Sequence, residues 1–303
     1  MSTIKNDTDV STIYLEKQFE EIDAKVASQP IRPNTFRDIL NVTMTANPAR
    51  TEHTFTVMER MGKASFIRTS SDNVNRVAEI ARQESIYSNQ VGIDLYIGND
   101  ELAEAIRLGE PLEASRALSC RQAIEEELEQ LVASGHTHAN PYGLINQPLA
   151  PIVTNVSGDL TDPAITGAVA LKVFTDVYEE MENSSYGLVS PDTLLLPRLV
   201  YSHLMWLKMN PGQDNVTVMD ELRMRYPNLT IKKWWHAEGA GALGVNRAVM
   251  FKNDPEIITH LMARDITRDK FHEVPHEKYT RYIAKTFGVY LKNTTGIRYI
   301  EDV

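Results

Sequence analysis

The residues whose types and spacing could do chemistry fall in four places. Gly239, Gly241 and Gly244 satisfy G-x-G-x-x-G, a spacing whose glycines let backbone approach a pyrophosphate at a helix N-terminus. Dinucleotide binding also needs a preceding strand, a following helix and an acidic residue about 20 positions on. Thr230 to Trp235 can supply the strand and Asp265 the acid, but only Val245 to Lys252 separates the glycines from Asn253-Asp254-Pro255. That stretch is too short for a crossover helix and reads equally as a strand, so the glycines are expected to form a flexible loop. His136 and His138 stand two apart in a polar turn, with no third ligand at a recognisable zinc spacing, and read as solvated histidines. Trp234-Trp235 suits a core or an interface at least as well as ligand stacking. Cys120 falls on an apolar helix stripe, which reads as a buried thiol rather than a nucleophile. No Ser/His/Asp or Cys/His arrangement stands out, so the chain reads as a non-enzyme with no cofactor and no metal.

The elements that must position these residues are organised around one helix. Leu112, Ala117, Cys120, Ile124, Leu128, Leu131 and Val132 recur at three- and four-residue steps, the stripe of an α-helix over 111–134. Pro111 suits its first position and Gly135 the left-handed residue past its end. At about 1.5 Å per residue it spans on the order of 36 Å, a spine for a whole domain. Glu125, Glu126 and Glu127 form its wet face, and Arg121 pairs with Glu125 one turn on.

On the N-terminal side, Ile13, Phe19, Ile22 and Val26 mark a short amphipathic helix that needs a partner surface, and residues 1–45 read as an arm. Thr51 to Ser71 predicts a hairpin turning across Arg60-Met61-Gly62-Lys63, packed on its own domain or projecting to another subunit. Val91 to Ile97 alternates as a strand, and a brief helix closes at Gly109. Beyond Pro148 a compact α/β unit is expected. It comprises a helix capped by Asp162-Pro163 with Ile165, Val169, Val173, Val177 and Met181 on one face, a buried strand Thr193–Leu196, a helix from Pro197, and one opened by Thr217 and Asp220. The last portion turns to strands at Ile257 to Ile266, Ile283 to Leu291 on a two-residue repeat, and Ile297 to Ile300.

Composition bounds the reading. The 303 residues, 42% of them hydrophobic, suffice for a substantial core. A net charge of -10 argues against gripping nucleic acid through phosphates, though not against enclosing it. A single cysteine excludes an internal disulfide. No apolar run is long enough to span a membrane, and the chain reads as soluble and cytoplasmic.

Taken in order, the hairpin with Arg60-Met61-Gly62-Lys63-Ala64, Asn73-Val74-Asn75-Arg76-Val77, Glu101 to Ala105, Gly109-Glu110-Pro111-Leu112, Ala123-Ile124-Glu125, Tyr142 to Pro148, Pro191 to Pro197 and Thr295-Gly296-Ile297 resemble a tailed-bacteriophage major capsid protein. The resemblance implies the α+β phage capsid fold of the Hong Kong type, shared with encapsulins. It divides the chain into an N-terminal arm (1–45), an extended β-hairpin loop (46–75), a peripheral domain (76–148 and 256–292) carrying the spine helix, and an axial domain (149–255 and 293–303). It implies that Phe55, Val57, Arg60, Lys63, Phe66 and Arg68 on the loop meet a neighbouring subunit, while Leu112, Ala117, Ile124, Leu128 and Leu131 form the spine's core face. It further implies hexamers and pentamers of an icosahedral virion shell around double-stranded DNA, made in bacterial cytoplasm, with no sequence-specific DNA binding and no membrane. Only about 45 residues precede the hairpin, so a separate scaffolding protein, or a leader already absent, is expected, with a portal and decoration proteins as further partners. The alternatives are an encapsulin-type compartment and a dinucleotide-binding enzyme.

Overall fold

The computed structural model describes residues 35–45, 47–61, 78–101, 107, 112–137, 140–154, 159–210, 215–270, 272–275 and 277–303. The amphipathic stretch with Ile13, Phe19, Ile22 and Val26, most of the brief helix before Gly109, and His138 lie outside the described residues. In chain order the elements are α1 (Phe36–Ile39), β1 (Val42–Met44), β2 (Glu52–Met61), β3 (Ala78–Tyr87), β4 (Asn89–Gly98), α2 (Leu112–Ser134), β5 (Ile152–Thr154) and α3 (Gly167–Ser184). They continue with β6 (Thr193–Leu196), α4 (Arg198–Trp206), α5 (Val218–Arg225), β7 (Thr230–Lys233), β8 (Arg247–Phe251), β9 (Ile258–Arg268), β10 (His272–Val274), β11 (Glu277–Leu291) and β12 (Ile297–Glu301).

Two five-stranded sheets carry the body. In one, β11 pairs antiparallel with β9, β4 and β10, and β1 adds in parallel to β9. The other runs β5-β12-β8-β6-β7. Its three central strands, β12, β8 and β6, are buried on both faces, so they alternate between two cores rather than between core and water. Leu194, Leu196, Ala248, Met250 and Ile300 face a layer of α3, α5 and α4. Leu195, Val249, Phe251, Ile297 and Tyr299 face the spine α2 and the first sheet. Because this second cluster also contains Ile258, Met262, Ala284 and Val289, the two sheets share a core and residues 34–303 form one compact unit.

The spine helix occupies Leu112–Ser134 as expected, with Leu112 its first residue. Ile124, Leu128, Leu131 and Val132 are buried, Cys120 packs with Leu95 and Ile97 of β4, and Ala117 borders that cluster. Each fully buried aliphatic side chain contributes about 1.5–3 kcal/mol, an upper bound because unfolded chains already bury some surface. Gly135 adopts φ +76°, and its N–H donates to Leu131 O at 2.9 Å, the left-handed stop expected there.

Three expectations need correction. Residues 35–45 are not part of an arm: Phe36, Ile39 and Leu40 are about 1% exposed in the shared core. The stripe of α3 does not follow a strict four-residue step, since four residues overshoot a 3.6-residue turn by about 40° each time. The buried set is Gly167, Ala170, Leu171, Phe174, Thr175, Val177 and Met181, while Val169 is exposed. The helix begins at Gly167 after Thr166, because Asp162 instead closes a separate turn by accepting the Ala164 N–H at 2.8 Å. Finally, the one-sided repeat of β11 breaks at a bulge where Gly288 takes φ +85°. Ala284 and Val289 therefore share one core, and Phe287 faces another with Leu261 and Ala263. The capping box Thr217–Asp220 on α5 and the buried strand β6 form as the sequence indicates.

Candidate functional site

The chemical candidates do not assemble. The glycine stretch is followed by β8, a fully buried strand, in place of a nucleotide-binding helix. Gly239 and Gly244 take φ +63° and +82°, and Gly241 is so close to Val245 that a Cβ would meet its Cγ2 at 2.7 Å. Asp265 lies on β9 of the other sheet, where Arg37 Nη2 pairs with it at 2.7 Å. Trp234 is core, its indole N–H directed to Glu129 at 3.4 Å. Among the described residues no cluster of His, Cys, Asp and Glu could hold a metal ion, and no helix is long and apolar enough to cross a membrane.

The loop residues divide. The expected partner of β2, the run after Lys63, lies outside the described residues; β2 pairs with β3, Glu52 opposite Tyr87 and Met61 opposite Ala78. Pattern alone could not choose between these pairings, because each doubling of a connection costs only about 0.6 kcal/mol of closure entropy. Val57 and Arg60 lie on β2 opposite Arg82 and Glu79, while Lys63, Phe66 and Arg68 lie outside the described residues. Phe55 is held by its own chain, its ring centred 3.9 Å from that of Tyr290. His53 lies 5.9 Å from Phe287, and Ile86 packs on the Leu261 cluster, so the base of this ribbon is anchored on β11. The ribbon pairs with no other described strand, and two strands alone are marginal in water.

The segment Tyr142 to Gln147 locks the end of the spine to both sheets. A helix leaves its last carbonyls without intrahelical donors. Here Leu144 N–H donates to Val132 O at 2.7 Å, Ile145 N–H to Ala133 O at 3.0 Å, and Asn146 Nδ2 to Ser134 O at 2.7 Å. So close an approach requires Gly143, where a Cβ would stand 2.3 Å from Ala133 O. From β12, the Tyr299 hydroxyl accepts from Gln147 N–H at 2.9 Å and donates to Leu144 O at 2.7 Å. Burial pushes its phenol well above the usual value, so it stays protonated and can do both. Arg247 of β8 donates to Ile145 O, pairs with Glu301, and lies 4.6 Å over the Tyr299 ring. Burial opposes the Glu301 carboxylate, but Arg247 and the Ala242 amide outweigh it and hold its pKa below the usual range.

Sequence reasoning missed the polar groups that bind residues 35–43. Glu129, only 3% exposed, accepts Thr35 N–H at 2.8 Å and its hydroxyl at 3.1 Å. Asn253 accepts Asn41 N–H at 2.9 Å and donates to Ile39 O at 3.2 Å. The one available signal was angular: Glu129 lies about 100° from Leu128, at the margin of the buried stripe.

The described residues thus form a two-sheet body with a two-stranded ribbon anchored on it. The capsid of Myoviridae phage XM1 superposes with a TM-score of 0.81 at 14% identity, covering 95% of this chain and 98% of that one. A Mycobacterium phage Bobi chain gives 0.64 at 15%, covering 91% and 93%. The virus-like particle from Pyrococcus furiosus gives 0.52 at 16%, covering 86% and 90%. At these identities the likenesses establish the fold. No curated protein matches the sequence. The family model for major capsid proteins matches residues 62–303, and the chain therefore belongs to the major capsid protein family.

Proposed function

We propose that this chain is the structural subunit of a bacteriophage virion shell, an icosahedron of hexamers and pentamers that encloses double-stranded DNA, and that it has no enzymatic role. The observation that carries this reading is the family match over residues 62–303. In this reading the first sheet with the spine is the peripheral domain, the second sheet with α3 to α5 is the axial domain, and β2–β3 reaches over a neighbour. A separate scaffolding protein, a portal and decoration proteins complete the assembly. The acidic balance, -10 overall, suits a wall that surrounds DNA without holding it. A phage shell is preferred to an encapsulin-type compartment because the XM1 capsid superposes at 0.81 and the Pyrococcus particle at 0.52.

The test replaces residues 57–82 with a short Gly/Ser linker, leaving Phe55 and Ile86 in place. The variant is expected to fold with wild-type circular dichroism and to form no closed particles, since every copy in the shell loses the same contact. Normal particles from it would overturn the role given to β2–β3. A wild-type protein that stays monomeric under all scaffolded and unscaffolded conditions would overturn the shell reading itself.

A further inference from the structure

The α/β half of the molecule has two edges of opposite character. Helix α3 packs on β12, α4 packs on β7, and α5 touches both helices and so lies between them. Helix α3 carries Asp176, Glu179, Glu180 and Glu182 against one lysine, Lys172; Glu180 pairs with Arg298 at 3.3 Å and Glu182 accepts from the Ser190 hydroxyl at 2.7 Å, which leaves Asp176 and Glu179 as the exposed acidic pair. Just past it Tyr186 and Leu188 are 93% and 85% exposed, held out by a turn in which Tyr186 and Gly187 both take positive φ. The α4–β7 edge has Arg198, Lys232 and Lys233 and no carboxylate on either element, although Glu238 lies 3.3 Å from Arg198. It also exposes Leu199, Met205 and Trp206, the last at 84%. Beside it lies a groove of about 450 Å³, floored by Ile39, Tyr201 and Ile231 and rimmed by Lys232, Lys233, Asp38 and Thr35.

We propose that these edges meet between copies: the Tyr186–Leu188 turn of one copy seats in the groove of the next, with acidic α3 along the basic α4–β7 edge. The inference rests on the shell reading and adds to it the surface and the mode of contact. Three observations carry it. The apolar projection follows α3, which packs on β12, and the apolar-floored groove borders β7, with β8 and β6 between those two strands. The charges flanking them are complementary, and Asp38 is the one groove carboxylate against two lysines. Isolated large apolar side chains at such exposure are ordinary, but a cluster rimmed by charge marks an interface. Because the two surfaces differ, the contact is heterologous and closes into a ring when the rotation between copies divides the circle.

Cysteine pairing tests the geometry, since Cys120 is buried and leaves the background clean. The double variant Leu188→Cys, Lys233→Cys, assembled and then mildly oxidised, is expected to give a ladder of covalent oligomers on a non-reducing gel. Each single variant gives none, and a mixture of the two singles gives dimers. Charge reversal is the second arm: Asp176→Lys with Glu179→Lys, or Arg198→Glu with Lys233→Glu, should each raise the protein concentration needed for particles by roughly tenfold or more. All four changes together should restore most of it. All these positions are on the surface, and unchanged melting temperatures would show that folding is intact. Particles from wild type with no ladder from the double cysteine variant, or reversed variants assembling at the wild-type concentration, overturn the edge contact and leave the shell reading standing. A wild-type protein that never forms particles overturns both.

Discussion

His260 of β9 makes the described body sensitive to acid, and the size of the effect follows from its surroundings. The ring is 0% exposed, its Nε2 is 2.8 Å from the Thr286 hydroxyl, and Phe36 meets it edge-on at 5.5 Å. Its Nδ1 is buried with no hydrogen-bond partner among the described residues. Burial first, and then the charge of Arg37, lowers its pKa from 6.5 to about 3. A folded-state pKa below the unfolded one means the unfolded chain binds more protons between the two values. The stability is therefore complete above the unfolded pKa of 6.5 and declines as pH falls from there toward about 3. At about pH 5 the linkage amounts to roughly 2 kcal/mol, and at about pH 7.5 to less than about 0.1. For a chain of this size, 2 kcal/mol corresponds to a melting shift of about 3 °C. Other groups also respond to acid, so the informative quantity is the difference between wild type and His260→Gln, which keeps a polar group toward Thr286 but does not titrate. Urea unfolding followed by tryptophan fluorescence at both pH values measures it. Relative to wild type, the variant should gain about 2 kcal/mol on going from pH 7.5 to pH 5. A difference that is the same at both pH values would show that the buried neutral imidazole does not set this dependence.

Three further outcomes follow from the same packing. Leu128→Glu places a carboxylate at a position of 0% exposure in the middle of the spine; the loss of about 2 kcal/mol of burial and the larger cost of an unpaired charge should leave no soluble folded protein, and soluble protein melting like wild type would contradict it. Tyr299→Phe removes one hydroxyl but strands two backbone partners, the buried Leu144 O and the part-buried Gln147 N–H; at about 1–3 kcal/mol for the buried carbonyl and less for the amide, it should lower stability by about 1–4 kcal/mol in urea unfolding, and a loss under about 0.5 would mean that water replaces the hydroxyl. Gly143→Ala, whose Cβ would press on Ala133 O, should raise amide hydrogen exchange at Leu144 and Ile145 far more than in the middle of α2, whereas uniform protection would show that the turn accommodates the methyl.

The local grammar of this chain was legible. The span of α2, its glycine stop, the capping box on α5, strand β6 and the strands at 258–268 and 297–301 follow from periodicity and cap chemistry, interactions between residues within a turn or two of each other. The resemblance to phage capsid proteins was also carried by the sequence, through the order of several short motifs that are individually generic. What the tertiary structure decided depends on partners far along the chain. Phe36 and Leu40 read as part of an arm because nothing nearby shows that Glu129, Asn253 and His260 wait to receive that segment. The second strand of the ribbon was misplaced because closure entropy varies so slowly with loop length that strand pairing is set by cross-strand contacts. The parity of β11 failed at Gly288, where a bulge inserts one residue and turns every later side chain over. The opposed charges of α3 and of the α4–β7 edge are plain in the sequence as composition, but only the packing of α3 on β12 and of α4 on β7, with β8 and β6 between those strands, separates them across the sheet.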